Sequence, residues 1–349
     1  MRPITFAVPG DLDTPTGGYR YDRALIAGLR EWGHGLDVLT LEGGFPRPSN
    51  AHAEAAMAAL QRVSADRVLI MDGLAYGVLP ADGLSRLAAP FIALCHHPLA
   101  LETGISEEDR AHFFRSEQEA LAAARHVLVT SPHTKAVLSD LFGLPADRVT
   151  VAPPGLSPTW HSIKNAPVDP PRIVAVGSLT PRKGYDVLLA ALRKLGDLAF
   201  HCDIVGSPEH DPATAGAIRR QVKESGLTDR VILHGGLPEE GIAALFGAAT
   251  VFALATRYEG FGMVFAEALA AGLPVVGTRA GAVPDVVPGD AGALVEPDDP
   301  AAFANALRKI LMDKAERRRL ATGARNSGPR FGGWDRTAAL ASGVVEAVG

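Results

Sequence analysis

Two glutamates eight residues apart are placed to hold a polar ligand. Glu259 is followed by Gly260-Phe261-Gly262, and Glu267 lies in the apolar stretch beyond, which is typical of a helix. A buried carboxylate needs hydrogen-bond donors, and the hydroxyl groups of a sugar or a ribose supply them. Two other interpretations stay open, a helix cap for Glu259 and an ion pair with a neighbouring basic side chain for Glu267.

A pair of cations stands in a glycine-bounded loop of the C-terminal half. The loop begins with Gly177-Ser178 and ends with Arg182-Lys183-Gly184, between an apolar run and a helical segment. A guanidinium offers two parallel donors and an ammonium a compact charge, and together they suit a diphosphate. Such cations also stabilise negative charge on a departing nucleotide. The alternative is a solvated loop with ordinary basic residues.

The N-terminal half contributes two histidines and a glycine pair. His96 and His97 follow an apolar run directly, at the strand end where ligands bind in open α/β sheets. Imidazole exchanges its proton near neutral pH, so His96 suits a role in a site, although a capped structural histidine fits equally. Gly17 and Gly18 stand ahead of a helical segment, where the backbone can approach an anion or simply turn. No Cys or acidic residue stands at ligand spacing beside the histidines, which disfavours a metal site there.

These candidates lie between alternating strand and helix segments. Continuous apolar runs predict parallel strands covered on both faces, at residues 4–8, 36–40, 68–71, 91–95, 126–130, 149–152, 172–176, 199–205, 231–234, 251–254, 274–278 and 293–295. Helical segments are predicted at residues 21–31, 51–63, 107–125, 134–141, 185–195, 213–224, 239–246, 263–271, 300–311 and 334–348. The alternation predicts an α/β protein with two Rossmann-like, doubly wound parallel-sheet domains.

The length of 349 residues suits two domains. Residues 157–171 are rich in proline and poor in periodic apolar positions, as a hinge would be. We therefore predict an N-terminal domain at 1–160, a hinge at 161–171, a C-terminal domain at 172–330 and a final helical segment at 331–349.

Composition and charge narrow the function classes. The net charge is −5, and neither half is basic, so a nucleic-acid partner is not expected. The two cysteines, Cys95 and Cys202, fall in different predicted domains, which favours free thiols in a reducing cytoplasm. No apolar run approaches 18 residues, so we expect no transmembrane segment. Peripheral contact with the inner membrane face stays open.

The chain resembles the retaining glycosyltransferases of family 4, which have the GT-B fold. The spacing Glu259-x7-Glu267 is similar to the family's E-x7-E motif, and the run Ala-Leu-Ala-Ala-Gly-Leu-Pro-Val-Val at 268–276 is similar to the segment that continues that motif. His96 matches the active-site histidine of the family. Further similar segments are Pro181-Arg182-Lys183-Gly184 for the phosphate loop, residues 126–131 for a serine-ended strand, Pro154-Gly155 for a turn and Trp334-Asp335 before the last helix.

The resemblance implies transfer of a hexose, with retained configuration, from a UDP- or GDP-linked sugar to a hydroxyl acceptor such as a lipid-linked or polysaccharide one. It also implies that the N-terminal domain binds the acceptor, that the C-terminal domain binds the nucleotide sugar and that the last helix packs back on the N-terminal domain. No cofactor beyond the nucleotide sugar and no essential metal is expected. The implied contacts are His96, Glu259 and the N–H groups of Gly260, Phe261 and Gly262 with the donor sugar, Glu267 with the ribose, and Lys183 with the diphosphate.

This sequence departs from the family pattern at several positions. Ser178 stands where the family usually has arginine, so Arg182 is expected to supply the second cation. The turn Pro154-Gly155-Leu156-Ser157 lacks the usual aspartate. One alternative is a sugar-nucleotide epimerase on the same fold, with Glu102 as an acid or base. Two others are a nicotinamide-dependent oxidoreductase, disfavoured by the missing G-x-G-x-x-G, and a catalytically silent nucleotide-binding module.

Overall fold

The computed structural model describes residues 1–349, which fold as two compact units. Unit 1 comprises Met1–Gly155 and Gly333–Gly349, and unit 2 comprises Leu156–Gly332. Residues 161–171, which the sequence predicts as a hinge, therefore belong to unit 2. The helix Pro158–Ser162, which includes their first two residues, buries Trp160 in the core of unit 2, where its ring lies 5.5 Å from that of Phe246.

Unit 1 is built on a six-stranded parallel sheet. Its strands are β1 Ile4–Pro9, β2 Leu36–Leu41, β3 Val68–Asp72, β4 Phe91–Cys95, β5 His126–Val129 and β6 Val149–Val151. Its first helices are α1 Gly17–Glu31, α2 Asn50–Gln61, α3 Gly73–Tyr76, α4 Ala81–Leu84, α5 Glu107–Ala123 and α6 Pro132–Phe142. The strand order is β2-β1-β3-β4-β5-β6, so the direction of winding reverses between β1 and β3. Open α/β sheets bind ligands at the carboxyl ends of the strands at such a reversal.

Unit 2 repeats this design with a second six-stranded parallel sheet. Its strands are β7 Arg172–Val176, β8 His201–Val205, β9 Val231–Leu233, β10 Val251–Ala253, β11 Val275–Thr278 and β12 Gly292–Val295. Its helices are α7 Pro158–Ser162, α8 Tyr185–Arg193, α9 Pro212–Glu224, α10 Glu239–Ala248, α11 Met263–Ala270, α12 Val283–Val286, α13 Pro300–Met312 and α14 Lys314–Ser327. The order β12-β11-β10-β7-β8-β9 places the reversal between β7 and β10.

The two parallel sheets confirm the predicted fold class, and all twelve predicted strands are present within two residues of their expected bounds. One predicted helix start differs from the structure by more than two residues. Helix α1 begins at Gly17, and the hydroxyl of Thr16 caps it by accepting from the N–H of Tyr19. Gly17 and Gly18 are therefore the first turn of the helix and not a loop ahead of it. None of the helices is both long and apolar enough to cross a bilayer.

The last helix, α15 Trp334–Val348, packs against α1 of unit 1, as predicted. The ring of Trp334 meets that of Tyr21 edge to face at 5.5 Å. Further along, Gly28 lies directly against Ala338, and a Cβ at Gly28 would come within 2.6 Å of the Cβ of Ala338. The glycine therefore sets how closely the two helices approach.

We predict that Gly28→Ala destabilises unit 1, although alanine favours a helix interior by about 1 kcal/mol over glycine. The added methyl group must displace α15, and overpacking of this kind costs roughly 1–3 kcal/mol. Chemical unfolding of the variant measures the loss. Adding Ala338→Gly should restore part of the stability, whereas Gly35→Ala, whose Cβ meets nothing within 4 Å, should change little. A more stable Gly28→Ala protein would contradict this packing.

Candidate functional site

The loops that follow β7 and β10 meet at the carboxyl edge of the unit 2 sheet. Lys183 Nζ donates to Glu259 Oε1 over 2.7 Å, and Arg182 Nη1 lies 3.6 Å from Glu259 Oε2. Glu259 is only 5% exposed. The structure therefore brings together the two cations and the first glutamate that the sequence singles out. It also pairs them with one another, which the sequence analysis did not anticipate.

The two cations set the charge state of the buried carboxylate. Burial alone would raise the pKa of Glu259, but the ammonium of Lys183 and the guanidinium of Arg182 outweigh burial and hold that pKa below its ordinary value. Glu259 is thus ionised at neutral pH, and the local charge of the three groups is +1. A site of this kind can attract an anion while keeping a hydrogen-bond acceptor beside it.

Arg257 fastens the two loops to each other. Its backbone N–H donates to the carbonyl of Arg182 over 2.7 Å, and Arg182 Nη1 donates back to the carbonyl of Tyr258 over 3.0 Å. The Arg257 guanidinium also makes two hydrogen bonds, of 2.7 and 3.0 Å, to the carboxylate of Asp186 at the start of α8. No local pattern in the sequence marks Arg257, because its partner Asp186 lies 71 residues away in the chain.

Two glycines in left-handed conformations allow this close approach. At Gly184, with φ +63°, a Cβ would come within 1.9 Å of the carbonyl oxygen of Ala255. At Gly281, with φ +56°, a Cβ would come within 2.2 Å of the carbonyl oxygen of Glu259. The next residue, Ala282, donates its N–H to that same oxygen over 2.9 Å. The small-residue loop after β11 therefore holds the backbone of Glu259, and no larger side chain fits at these glycines.

The remaining predicted positions of unit 2 lie in the same two loops or on α11. Glu267 lies on α11 and is 2% exposed. Helix α11 begins after Gly262, whose left-handed φ of +88° ends the loop. The predicted loop residues Gly177, Ser178 and Phe261 are half-buried, and Gly260 is buried. The carbonyl of Gly177 accepts a hydrogen bond from the Tyr185 hydroxyl over 2.8 Å.

In unit 1, His96 lies between two buried aspartates at the reversal of the sheet. His96 follows β4, Asp72 ends β3, and Asp22 stands on α1. The ring Nε2 is 3.0 Å from Asp22 Oδ1 and 3.4 Å from Asp72 Oδ2. The ligand atoms of these three side chains lie within 4.8 Å of one another, a grouping that a proton or a cation could share. The expectation that no essential metal is needed stays a prediction.

Neighbouring residues fix the ring of His96. Gly18 packs against the ring, since a Cβ at Gly18 would be 3.5 Å from His96 Cδ2. Tyr21 meets it edge to face at 5.2 Å. Gly18 thus has a packing partner in its own unit. Burial opposes the charged form of the ring, but the two aspartates outweigh burial and raise the pKa of His96 to about 10.

A second carboxylate holds the segment after His96 in place. Both oxygens of the buried Glu117 accept backbone N–H groups, from Leu99 at 2.7 Å and from Ala100 at 2.9 Å. Burial raises the pKa of Glu117 to about 7, against the effect of these two hydrogen bonds. In the same segment His97 Nε2 lies 3.1 Å from Glu102 Oε2, so His97 and Glu102 pair with each other.

Two family descriptions match this chain. Glycosyl transferases group 1 matches residues 157–327, and glycosyltransferase family 4 matches residues 44–160. Together they cover residues 44–327, which include strands β3 to β12, His96 and the cluster of Lys183, Arg182 and Glu259. The chain belongs to glycosyltransferase family 4.

Individual family 4 relatives are similar over different shares of the chain. The D-inositol 3-phosphate glycosyltransferase of Xylanimonas cellulosilytica is 35% identical over 239 residues, which are 64% of this chain and 57% of that relative. This match thus spans little more than half of the relative's length. The MMP alpha-(1->4)-mannosyltransferase of Mycolicibacterium hassiacum is 28% identical over 327 residues, 88% of this chain and 77% of that protein.

A solved structure has the same fold. Anabaena HepE, in complex with UDP and glucose, superposes with a TM-score of 0.75 at 18% identity and covers 99% of this chain and all of its own. That likeness establishes the GT-B architecture for this family 4 chain. It agrees with the two parallel sheets described above.

In this family 4 chain the partners of His96 were not predicted from the sequence. Asp22 and His96 are 74 residues apart, so no local motif joins them. A usable signal was nevertheless present. Asp22 occupies the buried side of α1 together with Leu25, Ile26 and Leu29, and an acid on an apolar helix face needs a partner.

We predict that Lys183→Met lowers the free energy of unfolding of unit 2 by about 3 kcal/mol, because removing one partner of a buried ion pair leaves the other charge uncompensated. The pH dependence should also change. In the parent chain the pKa of Glu259 is below its unfolded value, so its contribution is present above that value and is lost as the pH falls. In the variant Arg182 is the remaining cation that opposes burial, so the pKa of Glu259 should rise and the loss of stability at low pH should become smaller.

Chemical unfolding between pH 4 and pH 8 measures both effects. The matched control is Lys194→Met, since Lys194 is an exposed lysine of the same unit. Equal stability and an unchanged pH slope in Lys183→Met would contradict the ion pair as the source of stability.

Proposed function

We propose that this chain is a retaining hexosyltransferase that moves a hexose from a nucleoside diphosphate sugar to a hydroxyl acceptor. The observation that carries the proposal is the cluster of Lys183, Arg182 and Glu259 at the carboxyl ends of β7 and β10. It combines two cations for a diphosphate with an acceptor for sugar hydroxyls. It also lies at the strand reversal, where sheets of this kind bind ligands.

The charges of the site support a nucleoside diphosphate sugar as the donor. Lys183 and Arg182 would bind the diphosphate oxygens. Arg182 would supply the second cation in place of the arginine that the family usually has at the position of Ser178. Glu259 would exchange its contact with Lys183 for hydroxyl groups of the sugar. Glu267, eight residues on and buried, would hold the ribose. The UDP and glucose bound to HepE support a donor of this class.

The reaction would be a displacement on one face of the sugar. The bond from the anomeric carbon to the phosphate oxygen breaks, and its electron pair stays on the nucleoside diphosphate. The acceptor oxygen bonds to the same face of the carbon, and its proton passes to the leaving phosphate. Lys183 and Arg182 stabilise the negative charge on that leaving group, so positioning and electrostatics supply the rate enhancement. His96 would hydrogen-bond the transferred sugar.

The acceptor is a hydroxyl-bearing molecule. The relative from Xylanimonas cellulosilytica carries D-inositol 3-phosphate in its name, which makes that compound the first acceptor to test. Lipid-linked and polysaccharide acceptors are the other proposed acceptors. We also propose a cytoplasmic location with peripheral contact at the inner membrane face. The net charge of −5 gives no support to a polyanionic partner.

The deciding experiment supplies UDP-, GDP- and ADP-hexoses with and without acceptor and follows nucleotide release and donor configuration by NMR. We expect acceptor-dependent release of one nucleoside diphosphate, a product with the donor's anomeric configuration and full activity in EDTA. An isomerised donor would instead indicate an epimerase. An inverted product would exclude the same-face displacement, and tight binding of every donor without turnover would exclude a transferase.

We predict that Lys183→Met reduces kcat by about 100- to 1000-fold, because a preorganised charge on the leaving group is lost. Lys194→Met serves again as the control and should keep the parental rate. Thermal shifts with UDP, GDP and ADP report donor binding independently, since ligand binding to the folded state raises the melting temperature. A Lys183→Met protein that is folded and turns over like the parent chain would refute the role of Lys183.

A further inference from the structure

We infer that Asp22 and Asp72 are positioning residues that keep His96 as an imidazolium cation and aim its Nδ1–H at substrate oxygen. The inference deepens the proposed function, because it assigns the charge and the donor atom of a residue proposed to touch the transferred sugar. It rests on the placement of the ring nitrogens in unit 1.

The geometry determines the protonation of one ring nitrogen, Nε2. Nε2 lies within reach of two carboxylates, at 3.0 Å from Asp22 and 3.4 Å from Asp72. Asp22 is fully buried and Asp72 is 2% exposed, so neither can exchange this contact for bulk water. Above pH 6, the value to about which burial raises the pKa of Asp22, two ionised carboxylates offer Nε2 only acceptors and can share it only when it carries a proton. Nε2 must therefore carry hydrogen.

The second nitrogen is left to the substrate. The structure shows no protein partner for Nδ1, and the side chain keeps 20% of its surface exposed. One oxygen of Asp22, Oδ2, also lacks a hydrogen-bond partner, so no other donor of the protein offsets its negative charge beside the ring. Asp72, by contrast, uses Oδ1 to accept the N–H of Leu74 over 2.8 Å. A cationic ring therefore presents Nδ1–H as a donor.

Few other charges act on this pair. Arg23 is the one cation that lowers the pKa of Asp22 besides His96 itself, and burial raises the pKa of Asp22 above its ordinary value. The hydroxyl of Tyr19 stays protonated, because burial and then Asp72 and Asp22 raise its pKa to about 12. Tyr21 is likewise neutral, since burial raises its pKa well above its ordinary value. The aspartates are thus the groups that determine the proton on His96.

This arrangement excludes one role and assigns another. An imidazolium that holds its second proton through about pH 9 has no lone pair with which to take a proton from the acceptor hydroxyl. His96 is therefore a hydrogen-bond donor with a full positive charge, and the acceptor proton goes to the leaving phosphate. The oxygen it binds on the sugar gains a charge-assisted hydrogen bond.

The test is an NMR titration of histidine side chains in the full chain, with His96 assigned by its loss in His96→Gln. In the parent chain we expect His96 to stay protonated on both nitrogens up to about pH 9, in keeping with its raised pKa. Asp22→Asn should lower the midpoint by about two pH units, which is typical for loss of one contacting charge. Asp140→Asn, the same change at an exposed position of unit 1, should leave it unchanged.

Asp72→Asn is the second variant, read in the same way if Asp22→Asn fails to fold. A pH profile of kcat/KM adds a readout that a purely structural role would not move. The parent profile should be level from pH 7 to 9, and the Asp22→Asn profile should fall with rising pH across that range while its circular dichroism stays native.

Three results would overturn the inference: a parent His96 that titrates near its ordinary pKa, an unchanged midpoint in both aspartate variants, or stoichiometric binding of Zn²⁺ that is required for activity and lost in Asp22→Asn. Failure of the proposed function is separable from these. An inactive chain whose His96 still titrates near pH 10 would refute the transferase and leave the charge and donor atom of His96 intact.

Discussion

A carboxylate cannot leave water without a partner, and the site of unit 2 is organised around that constraint. Glu259 is buried, so Lys183 and Arg182 must stand beside it. Holding these charges together requires that two loops from neighbouring strands meet. That in turn requires Gly184 and Gly281, where backbone approaches backbone, and Arg257, which fastens the loops. The cluster can also bind a ligand that carries both anionic and hydroxyl groups. The anionic group would replace Glu259 beside the two cations, and the hydroxyl groups would replace the cations beside Glu259.

Unit 1 applies the same rule with different residues. Its sheet reverses between β1 and β3, and at that edge an imidazole, in place of an ammonium, meets two buried aspartates. The consequence for charge is opposite in sign. The cluster of unit 2 carries a net positive charge and suits a diphosphate. The three groups of unit 1, with the imidazolium and two carboxylates, carry a net negative charge, which suits a neutral hydroxyl-bearing group and not a phosphate.

Local pattern was enough to predict the sheets and the residues of unit 2's cluster. The strands are continuous apolar runs because both faces are covered, and this property is visible in sequence. Glu259, Lys183 and Arg182 could be named because glycines and strand ends surround them. Their pairing could not be predicted, because 76 residues separate Lys183 from Glu259 and only the strand order brings β7 beside β10. Asp22 was missed for the same reason. The segment 161–171, which the sequence predicts as a hinge, lies in unit 2 next to the buried Trp160.

The place of α15 in unit 1 has a consequence for how the chain acquires its fold during synthesis. The ribosome completes β1 to β6, then all of unit 2, and only afterwards the helix that covers α1. At about 5–20 residues per second, unit 2 takes on the order of ten to thirty seconds to make, and it can fold as a continuous segment in that time. The apolar side of α1 around Tyr21 and Gly28 stays uncovered for the whole interval. Unit 2 is therefore the first part of the nascent chain able to reach its final structure, although unit 1 begins the sequence.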